Sequence, residues 1–566
     1  LLSLYSRLLN PKMMELSPNS NTLLFYFLKW ENEKPNEPFL KQPFGDSYTI
    51  YSWADVGRLS RQIAASLQQK GFQKGDRIAI YSANCAQWII CDIALLMGGY
   101  ISVPLYANVS GESLHAILTH SESKFMFIGK LKPEDWKQVK DYIPTGVTTT
   151  TMDGYDRNGI SSWQQFLDPN ANFKGPEPSP EDRVTFIYTS GTTGMPKGVI
   201  HSNKSLVSAI KVAAPMAMLN QPGNRFVSYL PLSHAAERGL VEGGSIYSGG
   251  TIGFVESLES FVKNIQNIQP THFFGVPRIW EKIQGNILEK LPQKKLNILL
   301  SLPIVSSYIK YKIRKSLGLN KAKIILSGAA PLSREIILWY QSIGITIREA
   351  YGMSENYNVL SMNPPEDIRP GTVGILYPDQ EVKILPKTQE IIQKCDWLME
   401  GYYKEKELTE KTIRDGWLYT GDMGKFDADG YLTIIGRVKD IFKTSKGEYI
   451  TPAPIEQQFN NLVEIDQACV VGSKYTQPFV LVVLSGVGRK KSKQLMERLL
   501  LNVMEQINQK GSRYQKLKKV IVVKEEWTTE NELLTPSLKM KRNALTEKYE
   551  DTLRLLYENP EKISWE

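Results

Sequence analysis

The run "RVTFIYTSGTTGMPKGVIH", residues 183–201, decides how this chain is read. Its opening "RVTFIY" is β-branched and aromatic enough to be a buried strand ending at Tyr188. The loop that follows, "TSGTTGMPKG", packs three glycines, four hydroxyls and one lysine into ten residues. "VIH" is short and extended, and Ser202 or Asn203 is expected to cap a helix through "KSLVSAIKVAAPMAM". A strand, a glycine loop and a helix in that order suit phosphate binding. Glycines let backbone N–H groups turn toward an anion, hydroxyls add donors, and Lys197 adds a mobile positive charge. A Walker-type loop needs Gly-Lys followed by Ser or Thr. Here Lys197 lies between Pro196 and Gly198, which disfavours that class.

The chain has 566 residues, 42% hydrophobic and 22% charged, enough for several packed subdomains and too apolar for disorder. A formal charge of +9 favours polyanionic ligands without choosing among nucleic acid, anionic membrane, ATP and coenzyme A. No nucleic-acid-binding motif accompanies the charge, so a nucleic-acid partner is not expected. Cys85, Cys91, Cys395 and Cys469 form no CxxC pair and lack a histidine at metal-ligand spacing, which argues against zinc and against a disulfide framework. No secretory signal is read in "LLSLYSRLL", and a cytoplasmic location is expected, with peripheral contact to the cytoplasmic face of a membrane left open. Oligomeric state is not legible.

Two apolar stretches bear on the membrane question. "WIICDIALLMGGYISVPLY" is interrupted by Asp92 and Pro104 and reads as buried core passing from helix to strand. "LNILLSLPIVSSYIKYKIRK" mixes apolar residues with Lys310, Lys312, Arg314 and Lys315. It fits a membrane-surface helix or a core helix with a basic tail, and the core reading is preferred.

Helical and strand patterns alternate through the first 350 residues. "ADVGRLSRQIAASLQQKG" places Val56, Leu59, Ile63 and Leu67 on one helix face, and "RIAIYS", "KFMFIG", "FVSYLP", "THFFGV" and "KIILSG" read as strands. The fold class expected is α/β, with layered sheets flanked by helices. A large domain over 1–436 ends in a β-rich subdomain at about 372–436. A hinge follows at 437–440, and a small mobile α+β domain occupies 441–566, with "ACVVG", "PFVLVVLSG" and "KKVIVVKEE" as strands around a helix near "SKQLMERLLLNVMEQINQ".

Further strings carry candidate chemistry: "LPLSHAAER" (230–238), "SGAAPL" (327–332), "YGMSE" (351–355), "YTGD" (419–422), "GRVKD" (436–440) and "LTPSLKMKR" (534–542). Small residues in "SGAAPL" permit close approach of the backbone to a neighbour. Asp422 presents two acceptor oxygens, and Arg437 is a charged, forked donor. A lysine between a carboxylate and a phosphate offsets their repulsion.

Taken together and in this order, these strings resemble the adenylate-forming superfamily. The resemblance implies that Thr189, Ser190, Gly191, Thr192, Thr193, Gly194 and Lys197 hold the ATP phosphates. Gly328, Ala329, Ala330, Tyr351 and Gly352 would surround the adenine, and Asp422 and Arg437 the ribose. His234 would line the acyl-carboxylate side, Glu355 with Thr189 would bind magnesium, and Lys539 would bridge carboxylate and α-phosphate, with Lys541 and Arg542 competing for that assignment. Lys439 would be the hinge about which the C-terminal domain turns.

Within the superfamily, "GVPRIWEKI" (275–283) and "SKGEYITPAPIE" (445–456) resemble long-chain fatty acyl-CoA synthetases, nearest the bubblegum-type branch and its bacterial relatives. That implies fatty acid, ATP and coenzyme A as substrates, Mg2+ as the metal, and Trp280 as gate of an acyl tunnel. Four departures bear on the acyl pocket and the CoA step. Gln389, Cys395 and Lys446 stand where glycines are common, and "ENYNV" lacks the familiar Thr/Ser-x-Gly. A fatty acyl-AMP ligase or carrier-protein loader, and a catalytically decayed nucleotide-binding regulator, remain as alternatives.

Overall fold

The structure is a computed structural model and describes residues 21–168, 172–189, 195–510, 516–529, 531–535 and 539–566. Its centre is two large sheets sharing one core. The first has seven strands in the order Gly401–Tyr402, Lys197–Ser202, Arg183–Thr189, Ile101–Leu105, Arg77–Tyr81, Phe125–Ile128 and Thr148–Thr151. The second has nine, and its middle strands His272–Gly275, Ile324–Ser327 and Arg348–Tyr351 run parallel. Ile78 and Ile80 of one sheet and Phe226, Ile252 and Phe254 of the other belong to the same buried cluster.

Within that cluster lies the helix Ala86–Gly98, every residue of which is buried. It runs into the buried strand Ile101–Leu105, as "WIICDIALLMGGYISVPLY" predicts. A helix enclosed on all sides must neutralise any charge it carries. Asp92 is matched by Arg238 at 2.5 Å, and Arg238 also reaches Glu242 at 3.2 Å. Beside it, Trp53–Gln69 begins in a capping box of Ser52 and Asp55, buries Val56, Ile63 and Leu67, and stops just before Gly71, whose φ is +90°.

A five-stranded antiparallel sheet between Gln380 and Arg437 forms the β-rich region. The C-terminal section has its own four-stranded sheet, Ile465–Val471, Phe479–Leu484, Lys519–Val523 and Ile563–Trp565, with the helix Lys493–Lys510 contributing Met496, Leu500 and Met504 to its core. Strand Ile563–Trp565 was not legible in the sequence.

One expectation is met and another needs correction. The strand Arg183–Thr189 precedes the glycine loop, the extended run after the loop is the strand Lys197–Ser202, paired antiparallel with the first, and Ser202 caps the helix Asn203–Ala213, as expected. Any anion held at the loop depends on loop donors and Lys197, without that helix's dipole. The stretch "LNILLSLPIVSSYIKYKIRK" is not one core helix. It is two, Gln293–Ser301 and Pro303–Ser316, broken at Leu302 where the next residue is proline, and much of its apolar surface faces outward. Among the described residues no helix is long and apolar enough to cross a membrane.

Candidate functional site

The site grows from strand ends. The parallel strands Ile324–Ser327 and Arg348–Tyr351 are neighbours, so the turns after them, "SGAAPL" and "YGMSE", meet at one rim, where open α/β sheets place ligands. Both turns are sterically committed. A Cβ on Gly352 would lie 2.2 Å from the Asn358 backbone, and one on Gly328 would lie 3.1 Å from the Ala350 carbonyl oxygen. Ala329 and Ala330 are exposed, and Ala329 holds a φ of +67°, a strained value for a residue with a side chain.

Asp422 and Arg437 come together because their strands pair in register. Arg437 Nε lies 2.8 Å from Asp422 Oδ1, and the Tyr351 hydroxyl donates to Asp422 Oδ2 at 2.7 Å. The Asp422 charge is the leading reason that the Arg437 pKa is raised. Both carboxylate oxygens are thus oriented, and each keeps a lone pair for a further donor. Tyr351, expected beside a flat ring, also braces the carboxylate.

Glu355 is buried on a short turn and accepts from the Tyr402 hydroxyl at 2.6 Å. Tyr402 belongs to a strand paired with Lys197–Ser202, and His201 on that same strand donates from Nε2 to the Ser354 carbonyl at 2.7 Å. Glu355 is therefore bolted to the hairpin that carries the glycine loop. At the hairpin neck Thr189 stands opposite Lys197. The Lys197 pKa is lowered, first by burial and then by the charge of Lys439, while Glu355 acts in the opposite sense. Ser190, Gly191, Thr192, Thr193 and Gly194 lie outside the described residues.

His234 caps a short helical turn, its Nδ1 accepting from the Ala236 N–H at 3.1 Å. Burial, followed by the nearby Lys539 charge, lowers its pKa to about 4. The ring is then neutral with its proton on Nε2, a donor suited to a carboxylate. The segment leading to it is held by groups that sequence reasoning missed. Glu237 accepts from the Tyr229 N–H at 2.9 Å, and Asn84 donates to the Leu230 carbonyl at 2.6 Å and to Ser228 Oγ at 2.7 Å. Burial raises the Glu237 pKa to about 8. The only sequence signal was a Glu-Arg pair inside an otherwise apolar run.

Lys539 comes from the C-terminal section. Crowding by protein lowers its pKa first, Arg437 adds to this, and Asp422 and Glu355 oppose it. Its ammonium thus feels the same groups that the N-terminal section assembles. Of the two competitors, one is committed elsewhere. Arg542 is committed to Glu456, at 2.6 Å, and to the Val470 carbonyl, at 2.7 Å, while Lys541 is exposed at the start of the helix Arg542–Lys548. Pro536, Ser537 and Leu538 lie outside the described residues. Lys439 is exposed in a single 3-10 turn, Val438–Asp440, between the two sections.

Trp280 has no exposed surface. Its indole N–H donates to the Gly275 carbonyl at 2.8 Å, and its ring packs edge-on against Phe273 and Tyr340. The four departures have distinct structural outcomes. Gln389 and Asn358 hold φ values of +58° and +63°, left-handed positions that glycine adopts at low cost. Lys446 avoids that conformation because the adjacent Gly447 takes it, at φ +85°, and Cys395 ends an ordinary strand.

A hard cation such as Mg2+ keeps waters and takes one or two protein oxygens plus phosphates. Glu355, with one oxygen fixed by Tyr402, and the Thr189 hydroxyl at the loop's start fit that donor chemistry. Among the described residues no group of three or more His, Cys, Asp or Glu gathers to hold a metal without such help.

The AMP-binding enzyme family matches residues 27–403, and the AMP-binding enzyme C-terminal domain matches residues 439–561. Fatty acyl-CoA synthetase A of Dictyostelium discoideum is 30% identical, the match covering 97% of this chain and 92% of its own. Long-chain-fatty-acid–CoA ligase 5 of Rattus norvegicus is 29% identical over 94% of this chain and 86% of its own. Among solved structures, the anthranilate CoA ligase AuaEII in complex with anthranoyl-AMP shares the fold with a TM-score of 0.77 at 18% identity, over 94% of this chain and 98% of that one. The chain belongs to the AMP-binding enzyme family.

Proposed function

We propose that this protein is an AMP-forming ligase that converts a long-chain fatty acid to its coenzyme A thioester. The observation that carries the reading is the convergence on Asp422 of Arg437, at 2.8 Å, and Tyr351, at 2.7 Å, groups from two separate motifs brought to one carboxylate. Names of the relatives support the substrate class. In the first half-reaction a carboxylate oxygen attacks the α-phosphorus of ATP and the α–β anhydride bond breaks, releasing pyrophosphate. In the second, the CoA sulfur attacks the acyl carbonyl, the thiol proton is given up, and AMP leaves.

The residues' work is alignment and charge stabilisation. Asp422, steadied by Arg437 and Tyr351, receives the ribose hydroxyls, and the rim at Gly328 and Gly352 admits the adenine. Neutral His234 donates from Nε2 to the fatty carboxylate, and Lys539 lies between that carboxylate and the α-phosphate. Lys197 and the loop donors hold the outgoing phosphates. Glu355 and Thr189 would hold Mg2+, which when bound supplies positive charge to the phosphate oxygens. Rotation at 437–440 about Lys439 then withdraws Lys539 so that the thiol can enter. Trp280 is proposed as a wall of the acyl tunnel. Its truncation would leave a large cavity costing about 3–5 kcal/mol, so the unaltered protein is the cleaner probe of chain length. A cytoplasmic location with peripheral membrane contact completes the reading.

The test is pyrophosphate release from acids running from acetate to very long chains, with and without CoA. Rising efficiency through medium to long chains is expected, because each buried methylene adds about 0.8 kcal/mol. Thioester should accumulate only when CoA is present. An aryl-acid or acetate preference would replace the substrate class. Adenylate that never passes to CoA would favour an acyl-AMP ligase, and no pyrophosphate with any acid would favour a regulator.

A further inference from the structure

Between residues 291 and 323 the chain carries eight basic side chains and no acidic one, so nearly all of its formal net charge of +9 resides there. The helices Gln293–Ser301 and Pro303–Ser316 pack on each other in this segment. Their inner face supplies Leu296, Leu300, Ile309 and Ile313 to the core that contains Trp280. Their outer face does the opposite of what a core helix pair does. Ile298 is 64% exposed, Leu302 49%, Ile304 88%, Tyr308 60% and Tyr311 47%. Large apolar side chains gathered around one helix break are a surface that water penalises.

Beside them stand cations with matching geometry. Lys312 Nζ lies 5.8 Å from the Tyr308 ring centre, and Lys315 Nζ lies 5.9 Å from that of Tyr311. We propose that this helix pair docks on an anionic lipid bilayer. Ile304 and Leu302 at the break enter among the headgroups, Tyr308 and Tyr311 rest at the water interface, and the lysines extend to lipid phosphates. Charge complementarity selects this occupant. A second copy would bring the same basic rim against itself, whereas an anionic bilayer answers both the apolar tip and the positive rim. The surface extends the peripheral contact proposed above and gives it an address. The helix Pro277–Lys290 that carries Trp280 runs directly into it, so a fatty acid dissolved in the bilayer would leave close to the proposed tunnel wall.

The full chain is sedimented with vesicles of phosphatidylcholine alone and of phosphatidylcholine containing phosphatidylglycerol. Binding to the anionic vesicles, weakened by salt, is expected. The double variant Ile304→Ser/Tyr308→Ser should lower the vesicle partition coefficient at least about tenfold while leaving pyrophosphate release from detergent-dispersed fatty acid unchanged. A second variant, Lys312→Gln/Lys315→Gln, should flatten the salt dependence, and it keeps the idea testable if the first variant folds poorly. Absence of wild-type binding to anionic vesicles, or equal binding by both variants and the wild type, would overturn the proposal. So would a wild-type dimer that the first variant dissolves, because a second copy would then cover this face. The readout is binding, so it fails separately from the proposed chemistry.

Discussion

Asp422 and Lys539 feel each other's charge and are held in opposite ways. Asp422 is buried, with Arg437 on one oxygen, Tyr351 on the other, and its own N–H donating to Thr420 Oγ1 at 3.1 Å. Lys539 is exposed, and its section joins the rest through the single turn Val438–Asp440. In the proposed mechanism, the groups that stay with the nucleotide through both half-reactions are the ones braced by neighbouring side chains, and the group needed in only one half-reaction is carried by the section beyond the turn. That division is what the variants should test.

The largest effect is expected from Lys539→Ala. Removing a charge that stabilises the transition state should slow acyl-adenylate formation by about a hundredfold to a thousandfold. Thioester formation from supplied acyl-adenylate and CoA should stay within about twofold of wild type, because the lysine is withdrawn by then. Single-turnover measurement of each half-reaction decides it. Equal loss in both halves would mean that Lys539 is a fixed member of the site, and the contrast with Asp422 would collapse.

Asp422→Ala should act on binding, in both halves. Each lost hydrogen bond to a charged group is worth about 1.5–3 kcal/mol. Arg437, left without its partner, would add repulsion or disorder at the same place. A loss of ATP affinity of about a hundredfold by calorimetry is expected, with thermal unfolding little changed. Affinity equal to wild type in a folded variant would remove Asp422 from the nucleotide and leave it as a local brace for Arg437.

What was legible follows the same divide. "YTGD" and "GRVKD" could be read as partners because their strings are compact, and the structure pairs Asp422 with Arg437 in register. Long alternating stretches fixed the sheets for an equally local reason, since period and burial are written residue by residue. Tyr402 could not be read. Its contact with Glu355 depends on a two-residue strand joining a sheet edge from 47 positions away. Glu237 was hidden because a carboxylate's burial is decided by what packs on it, here Asn84 from a distant helix start. The helix pair at 293–316 was misread because an amphipathic pattern names an apolar face without naming what covers it. The departures at Gln389 and Asn358 look like losses in the sequence, yet both residues hold the left-handed backbone that glycine would provide.

The smallest predicted effect sharpens the comparison at the missed residue. If bracing is what the large domain contributes, loosening a brace should cost less than removing the group it holds. Tyr402→Phe deletes only the hydroxyl that donates to Glu355 Oε1 at 2.6 Å, and the ring still fills its place in the strand. One hydrogen bond to a charged group is worth about 1.5 kcal/mol at its low end, or roughly tenfold. The Mg2+ concentration for half-maximal adenylation should therefore rise by about that factor, because a carboxylate free to rotate must be ordered again when the cation arrives. ATP affinity measured without Mg2+ should not move, since Asp422 and Arg437 are untouched. Glu355→Gln, which removes the charge itself, should raise the Mg2+ requirement further. If Tyr402→Phe matches Glu355→Gln, the hydroxyl is part of the cation site and more than a brace. If it changes nothing, the buried turn alone orients Glu355, and rigidity in this half of the site comes from the backbone.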